Sequence, residues 1–186
     1  MSSDNSGYTI RPMRVDDIEA ARAIMFRTVE EDFGDSYSPV AHADIDDLVG
    51  AYLEPATPGP FMLVVEDDDT HEVIATCGIR AGALKEGLSP EHLVERYRDG
   101  GTGQLVRVYV LKEHRRRGIA KKIVRAVLDR ASAEGNYEKV ALHTFPHSPG
   151  ALPFWLAMGA EVVEDDVDGM TRAMFLEIPF APKAAA

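Results

Sequence analysis

Cysteine is almost missing from this chain. Its one thiol, Cys77, cannot close an intramolecular disulfide, which favours a reducing compartment and a cytoplasmic setting. Long apolar runs are missing too: no stretch approaches the roughly 20 residues of a membrane-spanning helix, and the polar opening Met1-Ser-Ser-Asp-Asn-Ser carries no hydrophobic run of a secretory leader. Net positive charge is absent, with 31 Asp and Glu against 20 Lys and Arg and a formal net charge of −11. That balance argues against nucleic acid or a membrane as partner. The histidines His42, His71, His92, His114, His143 and His147 show no metal-ligand spacing. His143 and His147 lie four apart, but Pro146 between them rules out a helical zinc pair, so no metal is expected. No repeat or low-complexity tract stands out. What remains is a 186-residue chain of 45% hydrophobic content, enough for one substantial core. The expectation is a single domain over 1–186, with 1–6 and 181–186 frayed.

The positive charge that is present is concentrated. Lys112, His114, Arg115, Arg116, Arg117, Lys121, Lys122 and Arg125 fall in one segment, Leu105 to Arg125. Val106, Val108 and Val110 alternate with Arg107 and Tyr109, the period of a strand with two unlike faces. Ile119, Ile123, Val127 and Ala131 then recur at helical spacing. The period switches at Arg115 to Ala120, where the first N–H groups of a new helix have no intrahelical acceptor and the helix dipole is positive. An anion such as a pyrophosphate suits that position. Gly118 and Ala120 leave room for its approach, and Arg115, Arg116 and Arg117 add mobile positive charge.

Arg115-x-x-Gly118-x-Ala120 resembles the Arg/Gln-x-x-Gly-x-Gly/Ala motif of the GNAT superfamily, the acetyl-coenzyme A dependent N-acetyltransferases. Over roughly the last half of the chain, Val140-Ala-Leu-His-Thr144 and then Ser148, Ala151, Phe154-Trp155 and Gly159-Ala160 resemble the family's next strand and helix. The resemblance implies a GNAT-like fold: a mixed, mostly antiparallel sheet with helices on both faces and a splay between two central parallel strands. It also implies acetyl-coenzyme A as co-substrate. Carried over position by position, Arg115, Arg116, Arg117, Gly118, Ile119, Ala120 and Lys121 hold its pyrophosphate. The backbones of Val108 and Val110 run beside the pantetheine and acetyl groups, and Trp155 is an apolar wall against the coenzyme arm or part of the core. Ser148 stands where the family commonly has Asn and either contacts the pantetheine or caps a helix. Trp155 stands where a Tyr often protonates the departing thiolate, and an indole N–H cannot do so. Gln104 or Leu105 occupies the region where Glu is often seen, and neither takes a proton.

Read along the chain, a strand is expected at Tyr8 to Met13, then a helix with Ile18, Ala21, Met25 and Val29 inward. A second helix is expected from Asp44 to Glu54, ending before Pro55. Phe61 to Val65 and Val73 to Ile79 form a hairpin. A short helix follows Ser89, with Pro90 at its first position, and Gly100 to Gly103 is a flexible connector. After the central strand and helix come a strand at Val140 to Thr144, a helix at Pro149 to Met158, and a strand pair at Glu161 to Glu164 and Ala173 to Ile178 around Asp165 to Gly169. The sum is a mixed sheet with helices on both faces.

For catalysis, Tyr109 and His143 are the candidate groups near the splay, each with a bland alternative: Tyr109 as wall, His143 as a hydrogen-bonded structural residue. Cys77, amid strand residues, is expected to be a buried thiol rather than a nucleophile. Glu30, Glu31, Asp32, Asp35, Asp44, Asp46 and Asp47 either line a mouth for a cationic amine or form a solvated acidic surface. Arg80 or Arg107 is the alternative, as a clamp on a substrate carboxylate. The expected activity is transfer of an acetyl group to a primary amine of a small molecule in a ternary complex. A coenzyme A sensor without catalysis, or an enzyme acting on a protein amine, are the other readings. A homodimer fits the family, but no residue here decides it.

Overall fold

The fold is described from a computed structural model, which covers residues 7–34, 38–54, 59–82, 84, 86–87, 89–98, 100–135, 137–146, 148, 150–169 and 171–180. Seven strands form one sheet in the order β1-β2-β3-β4-β5-β7-β6. These are β1 Tyr8–Pro12, β2 Phe61–Asp67, β3 Val73–Ala81, β4 Thr102–Val110, β5 Lys139–Thr144, β6 Glu161–Asp165 and β7 Met174–Pro179. The helices are α1 Ile18–Phe33, α2 Ala43–Asp46, α3 Leu48–Tyr52, α4 Glu91–Arg96, α5 Ile119–Glu134 and α6 Ala151–Ala157. β1 pairs with β2, β5 with β7 and β6 with β7, all antiparallel. The β4–β5 pair is parallel and runs only from Thr102↔Lys139 to Gln104↔Ala141.

The chain folds as two compact units, Met1–Gly78 with Arg107–Asp129, and Ile79–Val106 with Arg130–Ala186. In the first unit, β2 and the start of β3 are buried without a break from Phe61 to Val65 and from Val73 to Cys77, the pattern of strands covered on both faces. Ala21, Ile24, Met25 and Val29 of α1 and Ile119, Ile123, Val124, Val127 and Leu128 of α5 are buried at helical spacing. Arg11 of β1 forks onto Asp17, with N–O distances of 2.6 and 2.8 Å, and donates to Glu66 of β2 at 2.8 Å. The Asp17 carboxylate also accepts from the Arg14 N–H at 2.7 Å, which fixes the entry to α1.

In the second unit a core of Leu84, Leu93, Val94, Tyr97, Ala141, Ala173 and Phe175 forms around α4, β5 and β7. Glu177 of β7 accepts from the Tyr97 hydroxyl at 2.6 Å and pairs with Lys139 at 3.1 Å and Arg96 at 2.9 Å. Burial, and then the Glu177 carboxylate, push the Tyr97 hydroxyl well above the usual phenol range.

Four local expectations change. The helix expected over Asp44 to Glu54 is two short ones. Asp47 breaks it at φ −131°, ψ 70° and turns its side chain to accept from the Gly50 N–H at 2.9 Å, the habit that makes Asp a cap rather than a helix interior. Ile45, Leu48 and Tyr52 are nevertheless buried as expected, and Pro55 lies outside the described residues. Thr102 and Gly103 belong to β4 rather than to a connector: a Cβ on Gly103 would stand 2.9 Å from both Ile79 and Tyr137. Pro90 is the N-cap of α4, one place before the first helical residue. The last helix begins at Ala151 and is capped by Gly150, so Ser148 is not its cap.

Candidate active site

The chemistry-bearing segment starts in β4, where burial lapses. Thr102 to Leu105 are buried, Val106 to Tyr109 half-buried, and Val110 buried again. Within that half-buried stretch Arg107 has a φ of 56°, a left-handed conformation uncommon for a residue with a side chain and strained in mid-strand. Its surroundings hold it there. The Arg107 carbonyl accepts from the Thr76 hydroxyl at 2.8 Å. Its guanidinium donates to both Asp44 oxygens, at 3.0 and 2.5 Å, and to the Ala41 carbonyl at 2.8 Å. Asp44 in turn accepts from the Tyr52 hydroxyl at 2.7 Å. Burial works against the Arg107 charge, but the hydrogen bonds and charges of Asp44 and Tyr109 outweigh it and hold the guanidinium above its ordinary pKa.

After Val110 the chain makes a single 3-10 turn, Lys112–His114, and enters α5 at Ile119. Arg116 and Gly118 both take positive φ, 64° and 79°. At Gly118 a Cβ would meet nothing within 4 Å, so glycine serves the backbone turn and the space in front of it stays open. Lys122 makes a helical bond, its N–H donating to the Gly118 carbonyl at 3.1 Å. The N–H groups of Ile119, Ala120 and Lys121, one turn earlier, have no acceptor inside the helix. Three N–H groups, the positive end of a sixteen-residue helix and open space at Gly118 suit an anionic group.

The arginines beside this turn differ from the expected mobile charges. Arg115 is tied down: its Nε donates to the Val110 carbonyl at 2.8 Å, and its two terminal nitrogens meet Asp32 at 3.3 and 2.5 Å. Arg117 donates to the Tyr8 hydroxyl. Arg116 is exposed. Lys112 pairs with Glu31 at 3.0 Å and Asp32 at 3.5 Å. The Lys112 ammonium, and then Arg27, hold the Glu31 carboxyl below the usual range. The His114 ring meets Tyr8 edge-on at 6.0 Å and lies 4.0 Å from an Asp67 oxygen.

Most of the acids expected at a substrate mouth are therefore engaged with this protein's own groups. Glu31 and Asp32 face Lys112 and Arg115, Asp44 holds Arg107, Asp46 lies 3.8 Å from Arg22, and Asp47 caps α3. Asp35 lies outside the described residues. Neither arginine is an unoccupied carboxylate clamp: Arg107 is held by Asp44, and the Arg80 Nε donates to Gln104 at 2.8 Å. Gln104 itself is buried.

Tyr109, Val108, Val110 and the turn Arg115 to Lys121 all belong to the first unit. His143, Ser148 and Trp155 belong to the second. His143 is exposed on β5, opposite Phe175, with its ring 5.5 Å from Phe145 and 6.0 Å from Phe175. The Ser148 N–H donates to the Phe145 carbonyl at 3.1 Å. Trp155 is buried and packs edge-on against Phe154, with ring centroids 4.9 Å apart. His147 and Pro149 lie outside the described residues. Cys77 is fully buried, and burial pushes its thiol far above the usual range, so it is no nucleophile. Among the described residues no group of His, Cys, Asp and Glu is placed to hold a metal ion, and no helix is long and apolar enough to cross a membrane.

Against known proteins, residues 23–160 match the sequence model of the Acetyltransferase (GNAT) family. No curated protein matches the chain. Among solved structures, a GNAT-family acetyltransferase of Staphylococcus aureus Mu50 superposes with a TM-score of 0.70 at 13% identity, covering 92% of this chain and 98% of that one. The PaiA N-acetyltransferase of Thermoplasma acidophilum, in complex with coenzyme A, gives 0.69 at 14% identity over 97% and 100% of the two chains. The yncA protein of Salmonella typhimurium, solved with its cofactor acetyl-CoA, gives 0.65 at 17% identity over 96% and 97%.

Proposed function

The chain belongs to the acetyltransferase (GNAT) family, and from that premise we propose that it transfers the acetyl group of acetyl-coenzyme A to a primary amine of a small molecule, by direct attack in a ternary complex. The observation that carries the reading is the open turn at Gly118, with the first N–H groups of α5 behind it, which have no acceptor inside the helix. The backbone from Gly118 to Lys121 holds the pyrophosphate, with Arg116 and Arg117 at its rim. Arg115 contributes mainly by bracing the turn against Val110 and Asp32. The peptide groups of Val108 and Val110 run along the pantetheine arm, and Ser148 and Trp155 line it. Tyr109 and His143 are the groups able to move a proton. A net charge of −11 favours a cationic amine among acceptors through long-range attraction. The solved structures cover 92% or more of the chain, which supports one transferase domain spanning it. The single buried Cys77 suits a reducing, cytoplasmic setting.

In the reaction an amine nitrogen, uncharged when it attacks, bonds to the thioester carbon, the C–S bond breaks, and the proton lost by nitrogen ends on sulfur. Acetyl-coenzyme A supplies the activated acyl group. The protein orients it and manages that one proton.

Calorimetry with acetyl-coenzyme A, followed by thiol release across amines and peptides, tests the reading. Micromolar binding and release with one class of small amine is the expected result. Gly118→Glu should weaken binding at least 100-fold, by charge and bulk where the turn lies open, and should cost about 1–2 kcal/mol of stability through the left-handed backbone at that position while the chain still folds. Unchanged affinity in that variant removes the turn as the coenzyme site.

A further inference from the structure

We infer that the last turn of α1 and the turn at Gly118 draw on one set of counter-charges, so that coenzyme binding at the turn loosens the end of α1. The inference rests on the transferase reading above and goes beyond it by giving the first unit a conformational response to the coenzyme.

The argument starts from a helix end that is electrostatically unfavourable by itself. The sequence of α1 closes on Glu30, Glu31, Asp32 and Phe33, and its last turn holds no basic residue. A helix carries the negative end of its dipole at the C-terminus, so the three carboxylates there oppose it. Gly34 ends the helix in left-handed conformation at φ 62°, and its N–H donates to the Val29 carbonyl. That bond satisfies a carbonyl and brings no positive charge.

The missing charge comes from elsewhere. Lys112 lies 3.0 Å from Glu31 and 3.5 Å from Asp32. The terminal nitrogens of Arg115 meet the two Asp32 oxygens at 3.3 and 2.5 Å. Arg27, one turn back on α1, adds Glu31 at 3.0 Å and Glu113 at 3.2 Å. Six side chains thus alternate in sign, from Glu113 through Arg27, Glu31, Lys112 and Asp32 to Arg115. Glu31 and Lys112 support each other's charge: its carboxyl is held below the usual range, and the ammonium above.

The two cations that reach α1 from outside, Lys112 and Arg115, belong to the segment that forms the turn before α5. They are 48% and 36% exposed, so they change partners at little cost. Arg115 can do so without leaving its place, because its Nε stays on the Val110 carbonyl while the other two nitrogens exchange. A pyrophosphate at Gly118 competes with Glu31 and Asp32 for both. Every cation it draws away leaves a carboxylate facing the helix dipole without a counter-charge. Coenzyme binding and a formed α1 end therefore oppose each other, and the coupling is reciprocal.

Hydrogen exchange read by mass spectrometry on the full chain, with and without saturating coenzyme A, tests this. A ligand that binds only the folded state slows exchange through most of the chain. Against that background the amides of residues 31–34 should exchange about two- to fivefold faster, the scale of one or two exposed ion pairs. The double variant Glu31→Gln, Asp32→Asn has a helix end that no longer needs the cations. Its residues 31–34 should not speed up when coenzyme A binds. Residues 31–34 that slow or stay unchanged in wild type overturn the inference, as does a double variant that still loosens there, and in both cases the transferase reading stands. A wild type that calorimetry shows not to bind coenzyme A or acetyl-coenzyme A brings down both.

Discussion

Two clusters of opposite charge in the first unit use the same residue types for different ends. In the Arg107–Asp44 pair the side chains are 11% and 8% exposed, and each charge has further hydrogen-bond partners. In the Arg115–Asp32 and Lys112–Glu31 pairs the exposures are 36% and 22%, and 48% and 37%. Buried, fully partnered charges cannot rearrange without stranding one another in a poor dielectric. Exposed ones exchange partners with water and salt at little cost. The first cluster therefore fixes a geometry, that of the strand kinked at Arg107. The second gathers positive charge beside the turn at Gly118 while keeping it neutralised and exchangeable.

The sharpest way to break this contrast is to strand the buried charge. Asp44→Ala leaves the Arg107 guanidinium without its carboxylate and should cost about 3–5 kcal/mol of stability, read by urea or thermal unfolding. A loss below about 1 kcal/mol would put the buried cluster in the same class as the exposed one. Acid supplies a second, smaller lever through Arg11 and Asp17. The Arg11 guanidinium, helped by the Arg14 N–H and opposed by burial, holds the Asp17 carboxyl below its ordinary value of 3.8. A carboxyl depressed in the folded state stabilises the fold above its ordinary value, and that stability is lost as pH falls through the depressed value. Unfolding free energy should therefore fall as pH drops below 3.8, and Asp17→Asn should flatten that fall. Melts from pH 7 to pH 2 read both.

The two clusters also differ in how much of them the sequence discloses. The turn from Arg115 to Ala120 is legible because everything that makes it is local: a period of 2, a glycine, and a period of 3.6 follow one another within twenty residues. The strands follow for the same reason, some from their own alternation and β2 and β3 from short unbroken apolar runs bounded by turn residues. The Arg107–Asp44 pair is invisible, because its members lie 63 residues apart and each alone looks like a surface charge or a substrate clamp. Asp47 and Gly103 mislead in opposite directions. Apolar spacing carries a helix through Asp47, where a side-chain bond to the Gly50 N–H ends it. Glycine content makes a loop of Gly103, where contact with Ile79 and Tyr137 requires a strand without a side chain. In both places a contact outside the local pattern decides.

The smallest expected effect gives the finest test of the comparison. Asp32→Asn removes one negative charge from the exposed cluster but keeps an oxygen that accepts from Arg115. Because the pairs it weakens are only partly buried, with Arg115 36% and Asp32 22% exposed, stability should change by less than about 1 kcal/mol. The net charge around the turn becomes more positive, so acetyl-coenzyme A should bind a few-fold more tightly at low salt. The gain should vanish near 1 M salt, where the Debye length is about 3 Å. Calorimetry across that salt range separates two physical pictures. Tighter, salt-sensitive binding means that Asp32 competes with the pyrophosphate for Arg115 and Lys112, and that the exposed cluster is an exchangeable counter-charge. Weaker binding at every salt concentration means that Asp32 orients Arg115 against the Val110 carbonyl, so that this cluster too acts by fixing geometry and its exposure conceals the fact.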